Sequence, residues 1–410
     1  MKLGEKRVWL GFLAIIIGLS AVTLTASASG DPANELKAAY IVDADTGQAV
    51  YADHAETKLP IASLSKLMTL DLVVHAVKSG QIKWTDNVPI SDQVRKLAES
   101  ATLSTMPMAE HDKFTVKELF AATLVGSSNS SAIALGELVG GSNAKFIQLM
   151  NKQAKCWQLE AHFVSASGLD NTDLTKYHYN LPGTSDQAQN LVSAHAITTV
   201  ARHLLRDDPE VITIANQAAV KVRNYRVPTS VKILKGQSEY DATVPVDGLK
   251  TGYTAKAGAC LVATFKQGGH RMIATTLGGA WQYSASANLR AQVQQQERYQ
   301  RITPATIDYQ IPGTSTKVKL MAKTVQRRWV NVRQPLQQTE VPVLPLKASQ
   351  PNYLGKRMTV MQLRLTDPTA GTMTTVDYVT AHAHALPGPM QLATTVKTSA
   401  RIQSLLPVEY

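Results

Sequence analysis

The residues best suited to chemistry in this 410-residue chain lie in three short motifs, and the first pairs a serine with a lysine. In Ser63-Leu64-Ser65-Lys66, the two side chains are three residues apart. On a helix this places them on one face, with Cβ atoms about 5–6 Å apart. A serine hydroxyl is a weak nucleophile that needs a neighbouring base. Lys66 can be that base only while its amine is partly neutral, and burial and a second cation both lower the pKa of a lysine. We expect Lys250 to be the second cation.

The second motif is Ser127-Ser128-Asn129. If it lies beside Ser63, the Ser127 hydroxyl could relay a proton between Lys66 and a leaving amine. Asn129 offers both a donor and an acceptor to a substrate amide. Taken alone, the motif is equally well explained as turn chemistry after a helix.

The third motif is Lys250-Thr251-Gly252-Tyr253, in a predicted strand. Lys250 and Thr251 offer a cation and a hydroxyl to a substrate carboxylate. Gly252 lets the backbone approach a substrate closely. A backbone N–H of this strand, together with the N–H of Ser63, could form an oxyanion hole. Each motif alone has a purely structural explanation, but the three in this order favour a serine acyl-transfer enzyme.

Strands and helices of ordinary pattern should position these motifs. A helix is expected to begin near Ser63 and to run through Val74, and Thr115-Val116-Lys117-Glu118 predicts a capping box before a helix that ends near Val125. The remaining predicted elements are a hairpin with strands at 39–43 and 49–51, a helix at 131–139, and strands at 260–265 and 272–277.

Composition divides the chain into four parts. The first 28 residues have a basic start, an apolar run and small residues before a cut after Ala28, as a secretory signal does. An uncleaved membrane anchor is the open alternative. We predict a catalytic domain at 31–298, a β-rich domain at 299–385, where β-branched residues and turn signals dominate, and a tail at 386–410. The tail carries a faint amphipathic stripe that could associate with a membrane, and a loosely ordered tail is the alternative.

Without residues 1–28 the chain keeps 39 basic and 30 acidic residues, a net charge of +9. In an exported protein this charge suggests attraction to an anionic membrane surface or to wall polymers, and simple solubility explains it equally well. We predict no nucleic-acid partner, because no zinc-finger spacing, Arg-rich tract or stacked aromatic motif occurs. Cys156 and Cys260 do not suggest a disulfide framework, and Cys260 reads as a buried small hydrophobe.

We predict no metal site and no cofactor. His382 and His384 lack a third ligand at suitable spacing. Trp157, Trp281 and Trp329 are expected to serve packing and not substrate binding.

The motifs with their flanks resemble the low-molecular-mass penicillin-binding proteins, specifically the serine D-alanyl-D-alanine carboxypeptidases with a β-rich C-terminal domain. The similar segments are 60–69, 124–129 and 246–258, within a resemblance that covers about 35–285. The resemblance implies a fold of the α/β (α+β) class. It consists of a β-lactamase/transpeptidase-like catalytic domain, in which helices pack on an antiparallel sheet, and a small C-terminal β-rich domain.

The resemblance also implies a role for each site residue. Ser63 is the acyl-forming nucleophile, Lys66 its base and Ser127 the proton relay. Asn129 holds the substrate, and Lys250 and Thr251 bind its terminal carboxylate. The N–H groups of Ser63 and Tyr253, next to Gly252, make the oxyanion hole. The partners implied are the peptidoglycan stem peptide and β-lactam inhibitors.

The chain departs from the family at three places. Ser128 stands where close relatives usually have Gly, and Ser167 where they often have His. Gly278-Gly279 is followed by Ala280, whereas some members carry an Arg shortly after a Gly-Gly. Carboxylate anchoring would then depend more heavily on Lys250 and Thr251.

The sequence therefore predicts an exported serine D-Ala–D-Ala carboxypeptidase that acts at the outer face of the membrane or in the wall. Two alternatives stay open. A β-lactamase would share the acylation residues but requires fast deacylation. A non-catalytic wall-binding scaffold would use the fold without the chemistry.

Overall fold

The structure, a computed structural model, describes residues 36–281, 283–311, 315–343, 353–368, 373–386 and 397–399. The predicted signal segment at 1–28 lies outside the described residues, as does most of the predicted tail. The described tail residues Lys397–Ser399 form a strand, not part of a helix. No helix in the described part of the chain is long and apolar enough to cross a membrane.

The described chain contains helices and strands in mixed order. The helices are α1 (Lys66–Lys78), α2 (Asp92–Ala98), α3 (Val116–Val125), α4 (Asn129–Gly140), α5 (Asn143–Cys156), α6 (Asn171–Leu174), α7 (Ala194–Asp207), α8 (Glu210–Ala215) and α9 (Ser284–Gln296), with short 3₁₀ turns at Ala62–Ser65 and Thr175–Tyr177.

The strands are β1 (Ala38–Asp43), β2 (Ala49–Asp53), β3 (Leu59–Pro60), β4 (Asn87–Val88), β5 (Phe114–Thr115), β6 (Ala161–His162), β7 (Leu191–Val192), β8 (Ala219–Val222), β9 (Tyr225–Pro228), β10 (Gly248–Thr254), β11 (Gly258–Gln267), β12 (His270–Gly279), β13 (Glu297–Arg301), β14 (Thr306–Gln310), β15 (Lys317–Ala322), β16 (Arg327–Asn331), β17 (Gln337–Pro342), β18 (Tyr353–Leu354), β19 (Thr359–Thr366), β20 (Met373–Thr380), β21 (His384–Ala385) and β22 (Lys397–Ser399).

A five-stranded antiparallel sheet in the order β10-β11-β12-β1-β2 forms the centre of the catalytic region. The hairpin β1–β2 comes from the beginning of the chain and pairs with β12, where Ala38 lies opposite Leu277. The strands β11 and β12 are almost entirely buried, because helices cover both faces of the sheet. The predicted hairpin and strand pair are confirmed, and so is the α+β class.

One face of the sheet packs against a helical layer built around α1 and α7. The helix α1 is buried along most of its length, and its apolar side chains belong to the largest hydrophobic core. The capping box predicted at the start of α3 is present. The Thr115 hydroxyl accepts a hydrogen bond from the Glu118 N–H at 3.2 Å, and the Thr115 N–H donates to Glu118 Oε2 at 2.8 Å. This layer holds the first two motifs against the sheet edge that carries the third.

The other face of the sheet packs against α9 and the indole of Trp329, which is 1% exposed. Trp329 lies in β16, which pairs with β13 directly after α9. The Trp329 Nε1–H donates to Asp43 Oδ2 at 2.7 Å, and Gln48 bonds both the N–H and the carbonyl of Trp329. Trp329, a residue of the C-terminal β region, therefore completes a hydrophobic core of the catalytic region. This core contains residues from both sides of the predicted domain boundary at 298/299.

The C-terminal region is β-rich, as predicted. Its main sheet has the order β14-β15-β20-β19-β17-β22 and covers a separate apolar core that includes Val318, Leu320 and Tyr378. This core shares no residue with the two cores of the catalytic region, so the β-rich region packs around its own centre.

Candidate active site

Ser63 lies in the 3₁₀ turn directly before α1, and its side chain is half-buried. The turn begins with Ala62 at φ +47°, a left-handed conformation that costs an alanine about 1–3 kcal/mol. Gly168 and Gly252 make room for this turn. A Cβ on Gly168 would lie 2.0 Å from the Ala62 carbonyl oxygen, and one on Gly252 would lie 3.2 Å from the Ser63 nitrogen. This turn, named the nucleophile turn for the role predicted for Ser63, is thus enclosed by backbone on two sides.

The Lys66 ammonium group is the centre of the site. It donates hydrogen bonds to Ser63 Oγ at 2.8 Å, to Asn129 Oδ1 at 2.7 Å and to the Ser167 carbonyl at 2.6 Å. Lys66 is fully buried. The pKa of Lys66 lies well below its usual value, mainly because the side chain is buried and also because Lys250 is positively charged. A lysine bonded to the nucleophile and biased toward its neutral form can act as a general base.

Lys250 and Thr251 lie on β10, beside the nucleophile turn. Lys250 is also fully buried and donates to the carbonyl of Thr251 at 2.9 Å. Burial lowers the pKa of Lys250 to about 7. The Thr251 hydroxyl donates to Ser230 Oγ at 3.3 Å. The sequence reasoning missed Ser230, because no motif distinguishes it from an ordinary loop serine.

Ser127 and Ser128 lie in the short connection between α3 and α4. Ser127 has φ +58°, so its backbone is in the left-handed region. Among the described residues, no hydrogen bond joins Ser127 to Ser63 or Lys66. Ser128 is the N-cap of α4, and its hydroxyl accepts from the Ser131 N–H at 3.2 Å. Capping accounts for a serine at this departure from the family, since glycine caps less well than serine.

The loop at 165–168 supplies the third acceptor of Lys66. Asn190 fixes this loop, because its Oδ1 accepts from the N–H groups of Val164 and Ser165, at 2.6 and 2.9 Å, and its Nδ2 donates to the Ser165 carbonyl at 2.8 Å. Ser167 is fully buried, and its hydroxyl lies 3.1 Å from that of Ser165. At this departure from the family, the backbone carbonyl of Ser167 contacts Lys66 and the side chain stabilises the loop.

Gly252 is the last buried residue of β10, and Tyr253 is the first exposed one. A Cβ on Gly252 would lie 2.7 Å from the Ile61 carbonyl oxygen, so the strand and the nucleophile turn are in direct backbone contact. The Tyr253 side chain is 69% exposed and points away from this contact into solvent. The contact brings the backbone of β10 close to the N–H of Ser63.

Lys66 hydrogen-bonds members of the first two motifs, and the backbone of the third motif packs against the nucleophile turn. The prediction that Cys260 is a buried hydrophobe is confirmed, and burial raises the pKa of its thiol to about 11. The packing prediction holds for Trp329 and for Trp157, which stacks on His203 with ring centres 4.0 Å apart. It is wrong for Trp281, which is 61% exposed beyond the end of β12.

His382 is exposed and His384 lies in the short strand β21. Within the described ranges, neither belongs to a cluster of side chains that could hold a metal ion. Elsewhere in the described part of the chain there are two such clusters, at Asp43, Asp45 and His270, and at Asp71, His75 and Asp207.

Comparisons with known proteins agree with this geometry. A profile of peptidase family S11, described as D-alanyl-D-alanine carboxypeptidase, matches residues 25–280. D-alanyl-D-alanine carboxypeptidase DacF of Bacillus subtilis is 29% identical over 276 residues, 65% of each chain. The chain thus spans just under two thirds of the length of this curated relative.

Two solved structures extend the likeness. A peptidoglycan synthesis regulatory factor (PBP3) from Streptococcus pneumoniae is 28% identical with a TM-score of 0.66, covering 85% of this chain and 99% of that one. Penicillin-binding protein D2 from Listeria monocytogenes, in a cefotaxime-bound form, is 26% identical with a TM-score of 0.50, covering 63% of this chain and 94% of that one. The family profile covers more than half of the chain and all three motifs gathered around Lys66, so the chain belongs to the D-alanyl-D-alanine carboxypeptidase family.

Proposed function

We propose that this chain is an exported serine-type D-Ala–D-Ala carboxypeptidase that removes the terminal D-Ala from peptidoglycan stem peptides through an acyl-enzyme on Ser63. One observation carries the proposal. Lys66, a fully buried lysine with a lowered pKa, donates to Ser63 Oγ at 2.8 Å while Lys250 lies in the same site. Such a pair activates a serine without a histidine.

Acylation would proceed in two proton transfers. Neutral Lys66 takes the proton of Ser63 Oγ as this oxygen attacks the D-Ala–D-Ala carbonyl carbon. The N–H groups of Ser63 and Tyr253 stabilise the resulting oxyanion. The C–N bond then breaks, and the leaving amine of D-Ala receives a proton from Lys66 through the Ser127 hydroxyl. Water hydrolyses the Ser63 ester and restores the enzyme.

Substrate binding would use the remaining groups of the site. Thr251 supplies a hydroxyl and Lys250 a positive potential for the terminal carboxylate, with Ser230 beside Thr251. Asn129 Oδ1 accepts from Lys66, and its Nδ2 has no partner among the described residues, so Nδ2 is available to a backbone carbonyl of the stem peptide. These groups are neutral or cationic, as an anionic peptide terminus requires.

β-Lactams would acylate the same serine, since they present a strained amide beside a carboxylate. The Listeria monocytogenes penicillin-binding protein D2 has been solved in ampicillin- and cefotaxime-bound forms, which supports this expectation. Export is part of the proposal because the substrate lies outside the cell. The support for it is the basic and apolar start of the chain.

The test is the intact mass of wild type and Ser63→Ala after incubation with a penicillin, together with release of D-Ala from a peptide ending in D-Ala–D-Ala. A stable adduct on wild type alone, with D-Ala release by wild type alone, is the expected result. Fast consumption of the drug without an adduct would establish a β-lactamase instead. No adduct, intact drug and no D-Ala release would favour the wall-binding scaffold.

A further inference from the structure

A histidine and two carboxylates meet where the middle of α1 packs on the end of α7, outside the three motifs. Asp71 and His75 are four residues apart on α1, and Asp207 is the last residue of α7. His75 Nδ1 lies 3.7 Å from Asp71 Oδ2, and His75 Nε2 lies 3.1 Å from Asp207 Oδ2. One ligand atom from each of the three residues lies within 4.8 Å of those of the other two.

Asp71 is the unusual member of this group. It is fully buried, and neither carboxylate oxygen accepts a hydrogen bond from any described residue. A buried carboxylate without hydrogen bonds is costly to desolvate, so such groups normally have a partner, a bound water or an ion. The imidazole of His75, at 3.7 Å, is the polar group that faces it.

The second cluster of the same composition shows the difference. Asp43 is also fully buried, but its Oδ1 accepts from the N–H groups of Asp45 and Thr46, at 2.8 and 3.1 Å, and its Oδ2 accepts from Trp329 Nε1–H at 2.7 Å. Asp43 is satisfied by protein groups, whereas Asp71 is not. The two clusters contain the same residue types, two aspartates and a histidine. They differ in the hydrogen bonds to their buried aspartates.

Both carboxylate oxygens of Asp207 have partners in the protein. Its Oδ1 faces Lys78 Nζ and Arg206 Nε, each at 3.4 Å, and its Oδ2 is hydrogen-bonded to His75 Nε2 at 3.1 Å. A bound ion would take the place of this contact between Asp207 Oδ2 and His75. The side chain of His75 is 35% exposed, so an ion can reach the group from solvent.

We propose that Asp71, His75 and Asp207 bind a divalent transition-metal cation. Neutral imidazole and two carboxylates form a donor set that suits Zn²⁺, with water completing the coordination. Binding would require the three ligand atoms to close to about 2.0–2.2 Å from the ion, with one imidazole nitrogen turned toward it. The ion would neutralise Asp71 and join α1 to α7. Its role would be to stabilise the helix that carries Lys66, so it does not depend on the catalytic proposal.

The test uses the full chain without a histidine tag, freed of metal by EDTA and then dialysed. Zn²⁺ is titrated by calorimetry, and the melting temperature is measured with and without Zn²⁺ at pH 7. The variants are Asp71→Asn and His75→Gln. His270→Gln is the matched control, because it changes the histidine of the cluster whose buried aspartate, Asp43, has hydrogen-bond partners in the protein.

We expect wild type and His270→Gln to bind one Zn²⁺ with a rise in melting temperature of roughly 3 °C or more. Asp71→Asn and His75→Gln should lose both effects. Without metal, Asp71→Asn should melt near the wild-type temperature, because the amide has nearly the shape of the carboxyl group and takes a position that also lacks hydrogen-bond partners. If it does not fold, His75→Gln decides the question. The proposal would be overturned if wild type does not bind Zn²⁺. It would also be overturned if Asp71→Asn and His75→Gln bind Zn²⁺ and are stabilised by it as wild type is.

Discussion

Replacing Gly252 with alanine should separate β10 from the nucleophile turn. The new Cβ would lie 2.7 Å from the Ile61 carbonyl oxygen and 3.2 Å from the Ser63 nitrogen, whereas ordinary contacts begin near 3.4 Å. Both neighbours are backbone atoms that cannot rotate away, so the strand must retreat by about 0.7 Å, the difference between these distances. Loss of one oxyanion donor, or a displacement of about 1 Å, typically costs about 10²-fold in rate. We therefore expect Gly252→Ala to be acylated by a penicillin about 10²-fold more slowly than wild type.

The assay is the second-order rate constant for acylation by a fluorescent penicillin, read as labelled protein against time. Gly355→Ala is the matched control, because its new Cβ would meet nothing closer than Met358 Cε at 3.8 Å. Melting temperatures of both variants show whether they remain folded. If Gly252→Ala is folded and acylates within about threefold of the wild-type rate, the backbone contact does not position the oxyanion hole.

Three further outcomes follow from the geometry. The kcat/KM for D-Ala release should be a bell-shaped function of pH. It should rise as Lys66 loses its proton at its lowered pKa, and fall above about pH 7 as Lys250 loses its proton. A profile that is flat from pH 6 to 9 would contradict the roles given to the two lysines. Asn129→Ala should slow acylation by about 10–10²-fold, because a hydrogen bond to a charged group contributes about 1.5–3 kcal/mol. An unchanged rate would show that Asn129 does not contribute to acylation. Trp329→Ala should lower the free energy of unfolding, measured by urea titration, by about 3–5 kcal/mol. Trp329→Phe should lower it by less, since phenylalanine keeps an aromatic ring and loses mainly the hydrogen bond to Asp43. Equal losses in the two variants would show that the ring itself contributes little.

Local patterns predicted the elements of this fold better than the partners of the site. The capping box at Thr115 and the burial of Cys260 follow from a few adjacent residues, and both are present. The Ser167 carbonyl bonds Lys66 from 101 positions away, and every residue has a carbonyl, so residue type carries no signal for this contact. Trp281 was predicted to pack, but it lies past the last residue of β12, where the sheet no longer covers it.

The same long-range contacts explain how two lysines share one buried site. Lys66 has three hydrogen-bond acceptors, which favour its charged form, but burial and the charge of Lys250 oppose that form. Repulsion between the lysines lowers the pKa of Lys66 further, whereas burial alone accounts for the pKa of about 7 at Lys250. The charge of Lys250 therefore favours loss of a proton from Lys66, the lysine bonded to Ser63. A substrate carboxylate near Lys250 would favour the charged form of Lys250 and so leave Lys66 as the base.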